Sequence, residues 1–188
     1  SQDCADHGDS HKIDLCVSTL GRSMFGKTVG KTWDNIVLVG MPGVGKSTTG
    51  VLLAKRMAKD FLDTDLVIQN FTCEPLKETI DRIGRPGFRA LEERSVLCCE
   101  PRNAVVATGG SVIYSPVAME HLAENAVVIH LSMEFDRLQQ RLDDVEERGV
   151  LIEPEQDLRA LYDERMPLYG ELADITVHCN HLSTAAVT

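Results

Sequence analysis

Aromatic side chains are scarce in this chain, basic charge is in deficit, and long apolar runs are missing. Phe, Trp and Tyr make up 5% of the 188 residues. Trp33 and the three tyrosines are too scattered to form a base-stacking platform. The formal charge is −10, and it falls wholly after residue 33: residues 1–33 hold four acids and four bases, which leaves 25 acids against 15 bases beyond them. That balance argues against nucleic acid as the main partner, because binding a phosphate backbone relies on basic surface. A small anionic substrate stays compatible with it, since a few arginines aimed into one cleft dominate the local field. The apolar runs are a handful of residues long, far below the ~20 that a membrane span needs, so no membrane partner is expected. The six cysteines include no C-x-x-C pair, and Cys98 and Cys99 are neighbours, which rarely bridge each other; a reduced, cytoplasmic chain is expected. The opening Ser-Gln-Asp-Cys-Ala-Asp-His lacks the basic start and apolar stretch of a secretory signal. His121, His130, His178 and His181 show no metal-ligand spacing, so no zinc site is assigned.

What the chain does have is order. Residues 1–11 are polar, and residues 1–33 as a whole read as an extension or linker, partly disordered, ahead of a domain covering 34–188. From Asn35 short apolar runs alternate with longer amphipathic stretches, the pattern of a parallel sheet with crossover helices. Strands are predicted at Ile36–Val39, Phe61–Asp63, Ala104–Thr108, Val127–Leu131 and Asp174–His178. Helices are predicted at Lys46–Lys59, Leu76–Ile83, Phe88–Cys99, Val117–Glu124, Phe135–Leu142 and Asp157–Tyr169. Five parallel strands joined by right-handed crossovers give a three-layer α/β/α sandwich.

Gly40-Met-Pro-Gly-Val-Gly-Lys46-Ser47 fits the pattern G-x-x-x-x-G-K-[ST], follows an apolar strand and opens a helix, the context that motif requires. Its glycines let successive backbone N–H groups point inward, and the helix N-terminus adds its positive end beneath the phosphates. Gly43, Val44, Gly45, Lys46, Ser47 and Thr48 are therefore candidate nucleotide-binding residues. Lys46 would neutralise the β- and γ-phosphates of ATP, and Ser47 would ligate Mg²⁺. The fold is accordingly that of a P-loop NTPase, similar to the nucleoside monophosphate kinases. A second match, Gly21-Arg-Ser-Met-Phe-Gly-Lys27-Thr28, is rejected. Only seven residues separate it from the next strand, too few for a crossover helix to stand behind it.

A phosphate loop leaves GTPases, motor ATPases and small-molecule kinases open. Asp63 and Asp65, at the end of the second strand, emerge at the edge that carries the loop and point the same way. One can hold Mg²⁺ or its waters while the other takes a proton from an attacking hydroxyl. Alternatively, an aspartate here caps a helix starting near Leu66, a role open to Asp65 too.

Asp63-Thr-Asp65, then Gly87-Phe88-Arg89-x-x-Glu92, then Thr108-Gly109-Gly110, then Arg165-x-Pro-Leu-Tyr169 together resemble the shikimate kinase family, from about Asn35 to His178. The resemblance implies that Asp65 binds the acceptor hydroxyls and acts as base, and that Asp63 supports Mg²⁺. It implies that Arg89 and Arg165 clamp a substrate carboxylate, with Glu92 orienting Arg89 and the N–H groups of Gly109 and Gly110 meeting the substrate. It places a lid at about 141–154, with Arg148 reaching the transferring phosphates as a catalytic residue and Arg141 near the adenine. The expected activity is transfer of the ATP γ-phosphate to a hydroxyl of shikimate by a monomeric enzyme. A kinase for another hydroxylated carboxylate or sugar acid, and a non-catalytic nucleotide-binding regulatory domain, are the alternatives. Three features depart from the family pattern: Ser111 replaces the usual third glycine, Gly149 follows Arg148 where proline is usual, and the lid carries Asp143, Asp144, Glu146 and Glu147.

Overall fold

The computed structural model describes residues 33–146 and 158–180, the side chains of 143–146 excepted. The rejected glycine-rich stretch at 21–28, nearly all of the N-terminal extension, Arg148 and most of the expected lid lie outside the described residues. Trp33–Asn180 is one unit.

Five strands, β1 (Asn35–Val39), β2 (Asp60–Asp63), β3 (Ala104–Ala107), β4 (Ala126–Ser132) and β5 (Ile175–His178), form one sheet in the order β2-β3-β1-β4-β5. Every adjacent pair is parallel: Val37 of β1 registers with Val106 on one side and Val128 on the other, and β5 is the edge beside β4. The helices are α1 (Lys46–Met57), α2 (Thr64–Thr72), α3 (Leu76–Leu97), α4 (Pro116–Ala123), α5 (Phe135–Glu146) and α6 (Leu158–Leu172). The sheet of five parallel strands flanked by helices is the fold expected from the sequence.

Burial follows position in the sheet. β1, β3 and β4 are buried along their whole length and read as mainly apolar runs, with Val37, Val39, Val105 and Val106 wholly inaccessible. Each such side chain contributes about 2 kcal/mol of transfer free energy. The edge strand β5 alternates between half-buried and exposed residues.

Local chemistry sets the boundaries. Residues 76–97 form one helical run broken at Gly84 (φ 69°), two residues before Pro86, where the sequence suggested two helices. α2 starts at Thr64, ahead of the position near Leu66 suggested by the sequence, because Asp63 is its N-cap: the Asp63 carboxylate accepts from the Asp65 N–H at 3.0 Å. The cap role left open for Asp65 thus falls to Asp63. A short 3₁₀ segment, Val112–Tyr114, follows β3 and was not anticipated.

Asn35 ties the start of the sheet together. Its buried side chain donates to the Pro101 carbonyl at 2.8 Å and accepts from the Ala104 N–H at 3.0 Å, holding the entry to β3 against β1. Removing it orphans a donor and an acceptor where water has little access. Asn35→Ala is expected to lower stability by about 2 kcal/mol, read as a reduced urea midpoint at unchanged m-value.

Candidate active site

Because all strands run the same way, the carboxyl ends of β1, β2 and β3 open onto a single edge. From β1 comes the phosphate loop, from β2 come Asp63 and Asp65, and from β3 come Thr108, Gly109 and Gly110.

The loop closes on itself and then opens α1. Gly45 is the helix N-cap in the left-handed region (φ 101°), a conformation that only glycine adopts without strain. Lys46 is buried, and its ammonium donates to the carbonyls of Gly40 (2.8 Å) and Met41 (3.0 Å). Burial pulls its pKa down to about 8, against the opposing pull of the Asp65 and Asp63 carboxylates. Arg141, on α5, donates to the Val44 carbonyl at 3.2 Å and so lies against this loop.

Gly109 shows how tightly the β2 and β3 ends meet. A Cβ there would stand 2.1 Å from Oε1 of Glu92 and 2.8 Å from Oδ1 of Asp65, so only a residue without a side chain leaves both carboxyl groups in place. A Cβ on Gly110 would come within 3.0 Å of Nη1 of Arg165 and of the Pro42 ring. The structure thus gathers Lys46, Asp65, Glu92, Gly109, Gly110 and Arg165 around one point. Burial raises the Asp65 pKa, and the nearby Lys46 ammonium opposes that rise.

Two expected contacts differ. The Gly109 N–H donates to the Thr64 hydroxyl at 2.9 Å, so this donor is taken up inside the protein and the glycine's contribution is close approach. Glu92 does not orient Arg89: its Oε2 accepts from the Ser111 hydroxyl, and its Oε1 is buried with no hydrogen-bond partner among the described residues. Ser111, the departure from the family pattern, is therefore built into the site. Arg89 instead lies over the Tyr114 ring, 4.1 Å from its centroid.

Behind the site, Tyr169 is wholly buried; its hydroxyl donates to the Gly110 carbonyl at 2.7 Å and its ring stacks on His130 at 5.2 Å. Burial holds the His130 pKa down to about 4, which leaves a neutral core histidine. Thr64, Tyr114 and Tyr169 were not singled out as site residues from the sequence. Thr64 and Tyr169 carried a signal, as the middle and the last residue of their motifs, and Tyr114 carried none. A separate cavity of about 350 Å³ opens near the strand starts, lined by Asn35, Pro101, His121 and Asn125 among others, and contains none of the predicted site residues.

A phosphate loop joined to paired aspartates and two arginines defines the class: an ATP-dependent small-molecule kinase of the P-loop type. The shikimate kinase family model matches residues 42–188. The chain is 38% identical over 158 residues to a shikimate kinase of Thiobacillus denitrificans, covering 82% of this chain and 86% of that one. It is 41% identical over 157 residues to a shikimate kinase of Synechococcus, covering 81% and 78%. The structure resembles that of a shikimate kinase from Acinetobacter baumannii solved in complex with shikimate, with a TM-score of 0.72, 34% identity, and coverage of 84% of this chain and 88% of that one. The chain belongs to the shikimate kinase family.

Glu92 gives the site a pH signature. Burial raises its carboxyl from the ordinary 4.5 to about 7, and the Ser111 hydroxyl only partly offsets that. Between these values the folded protein holds a proton that the unfolded chain has lost, so the Glu92 contribution to stability falls as pH rises through this window. Glu92→Gln removes the titration. The stability of this variant relative to the parent is expected to improve by about 2 kcal/mol between pH 5 and pH 8, measured by urea unfolding at both pH values.

Proposed function

We propose that this edge of the sheet carries shikimate phosphorylation, with Lys46 and Asp65 at the reacting centre and Arg89 and Arg165 holding the substrate carboxylate. The observation that carries the reading is the crowding at Gly109 and Gly110: the Asp65 carboxyl, the Glu92 carboxyl and the Arg165 guanidinium all come within contact of two adjacent glycines, and their charges are felt at the phosphate-loop lysine. A base, an anion clamp and a phosphate-binding cation are thus assembled without any side chain between them.

The loop Gly43–Thr48 receives the phosphates of ATP, its N–H groups and Lys46 offsetting their charge. Arg141, tied to Val44, suits the role near the adenine. Arg148 keeps the part that the family resemblance gives it, at the transferring phosphates. Ser47 is exposed and offers a hydroxyl, and Asp63 offers a carboxylate oxygen beyond the one that caps α2. These hard oxygen donors fit Mg²⁺, which takes few protein ligands when phosphates complete its shell. When bound, the ion would offset charge on the β- and γ-phosphate oxygens.

The acceptor hydroxyl lies against Asp65. Its oxygen forms a bond to the γ-phosphorus, the bond from that phosphorus to the bridging oxygen breaks to release ADP, and the hydroxyl proton passes to the Asp65 carboxylate. Burial raises the basicity of that carboxylate, while Lys46 helps to keep it ionised. Arg165 is buried and Arg89 exposed, so the clamp has one anchored and one reaching member. Both guanidinium groups suit two-point contact with a carboxylate.

A coupled assay of ADP release with MgATP tests the reading, using shikimate beside a panel of other hydroxy acids and sugar acids. Shikimate-dependent turnover is expected, with Asp65→Asn lowering kcat by about 10²–10⁴-fold at unchanged nucleotide affinity. ADP release by folded protein that ignores shikimate would sink the assignment, and turnover with another acid in the panel would move it to that substrate.

A further inference from the structure

Arg89 and Arg165 come from different helices, α3 and α6, and the 3₁₀ segment between β3 and α4 brings one side chain to both. The Arg89 guanidinium carbon lies 4.1 Å from the centroid of the Tyr114 ring, and that of Arg165 lies 5.2 Å from it. The Nε of Arg165 donates to the Tyr114 hydroxyl at 3.2 Å, and that hydroxyl donates onward to Glu164 at 2.7 Å. Two like charges thus share one electron-rich ring, and a carboxylate one residue before Arg165 closes the chain.

We propose that Tyr114 is a positioning and specificity-determining residue, setting the spacing and orientation of the two arginines that hold the substrate carboxylate. The inference rests on the clamp described under the proposed function. Each contact has its own effect. The ring attracts both guanidinium groups and offsets the repulsion between them, which otherwise drives an exposed Arg89 away from Arg165 into solvent. The phenol oxygen occupies Nε of Arg165, which takes up the side-on edge and leaves the end-on edge, with its two terminal nitrogens, for two-point contact with a carboxylate. Glu164 fixes the direction of the phenol proton, leaving a lone pair of the oxygen toward Arg165. Tyr114 itself need not touch the substrate, and none of its contacts reaches Lys46 or the phosphate loop.

The test compares the parent protein with Tyr114→Leu and Tyr114→Phe, using shikimate and its methyl ester, which keeps the hydroxyls and lacks the negative charge. Steady-state KM and kcat for MgATP and shikimate are measured together with direct calorimetric binding of both ligands. The parent is expected to bind the acid more tightly than the ester. In Tyr114→Leu the KM for shikimate is expected to rise about tenfold and the preference for acid over ester to collapse, with KM for ATP within about twofold of the parent. Tyr114→Phe keeps the ring and is expected to recover most of the preference. Unchanged acid-over-ester discrimination in Tyr114→Leu overturns the inference, as does a KM for ATP that rises in step with that for shikimate, which marks general damage. A parent protein that does not discriminate acid from ester overturns the carboxylate clamp itself, a separate failure.

Discussion

The site depends on keeping a carboxyl group, an ammonium and a guanidinium almost dry, with a second carboxyl half-buried beside them, at one edge of the sheet. Lys46, Glu92 and Arg165 are each less than a tenth exposed, and Asp65 lies against Gly109 beside them. Burying any one of these charges alone would cost several kcal/mol, so they persist only as a set whose members compensate each other. The compensation is visible in directions: carboxylates raise the Lys46 pKa while burial lowers it, and Lys46 lowers the pKa of Asp65 and Glu92 while burial raises both. Gly109 enforces the distances, since the space a Cβ would need already holds the carboxyl oxygens. Much of the remaining architecture serves to hold that arrangement still. Tyr169 pins the Gly110 carbonyl from behind, Thr64 takes the Gly109 N–H, and Asp63 fixes the start of the helix that carries Asp65.

The fold was legible because its signals are local. Short β-branched runs such as Ile36–Val39 and Val127–Leu131, alternating with longer amphipathic stretches, read as strands covered on both faces, and the phosphate-loop pattern fixes where a strand must end and a helix begin. Boundaries moved by one to four residues, by four at the end of α5 and by one at Thr108, which falls just outside β3 with its hydroxyl and N–H both on the Leu38 carbonyl. The two predicted helices on either side of Gly84 are one run with a break, a difference of definition more than of shape, since glycine and proline mark the break in the sequence itself.

The site was legible in part, and the division is physical. Lys46, Asp63, Asp65, Arg89 and Arg165 belong to motifs, and motif residues can be found one at a time. Contacts between motifs cannot. Ser111 stood out as a departure from the family pattern, yet its hydroxyl holds the carboxyl of a residue nineteen positions earlier. Tyr114 lies fifty-one positions from Arg165 and carried no periodicity or spacing that pointed to it. Glu92 followed Arg89 by three residues, which suggested a pair on one helix face, but the helix turns Glu92 into the core and Arg89 outward. Spacing on a helix says which side chains are near; only the packing against the Gly109–Ser111 segment says which of them is dry.

These dry contacts also bear on how a chain of net charge −10 can bind two anions at once. The overall field repels a nucleotide, so affinity must come from local cations that have little else to hold. Lys46 meets that condition in a particular way: its ammonium rests on the Gly40 and Met41 carbonyls of its own loop, which are dipoles and not full charges, and its pKa of about 8 records how incompletely they replace water. On the proposed reading, a phosphate oxygen would supply the full negative charge that those carbonyls lack. Under the proposed clamp, Arg89 and Arg165 follow the same logic, with the Tyr114 ring in place of the carbonyls. In both cases the direct contacts orient the cation, and the carboxylates beside Lys46 offset only part of the effect of its burial.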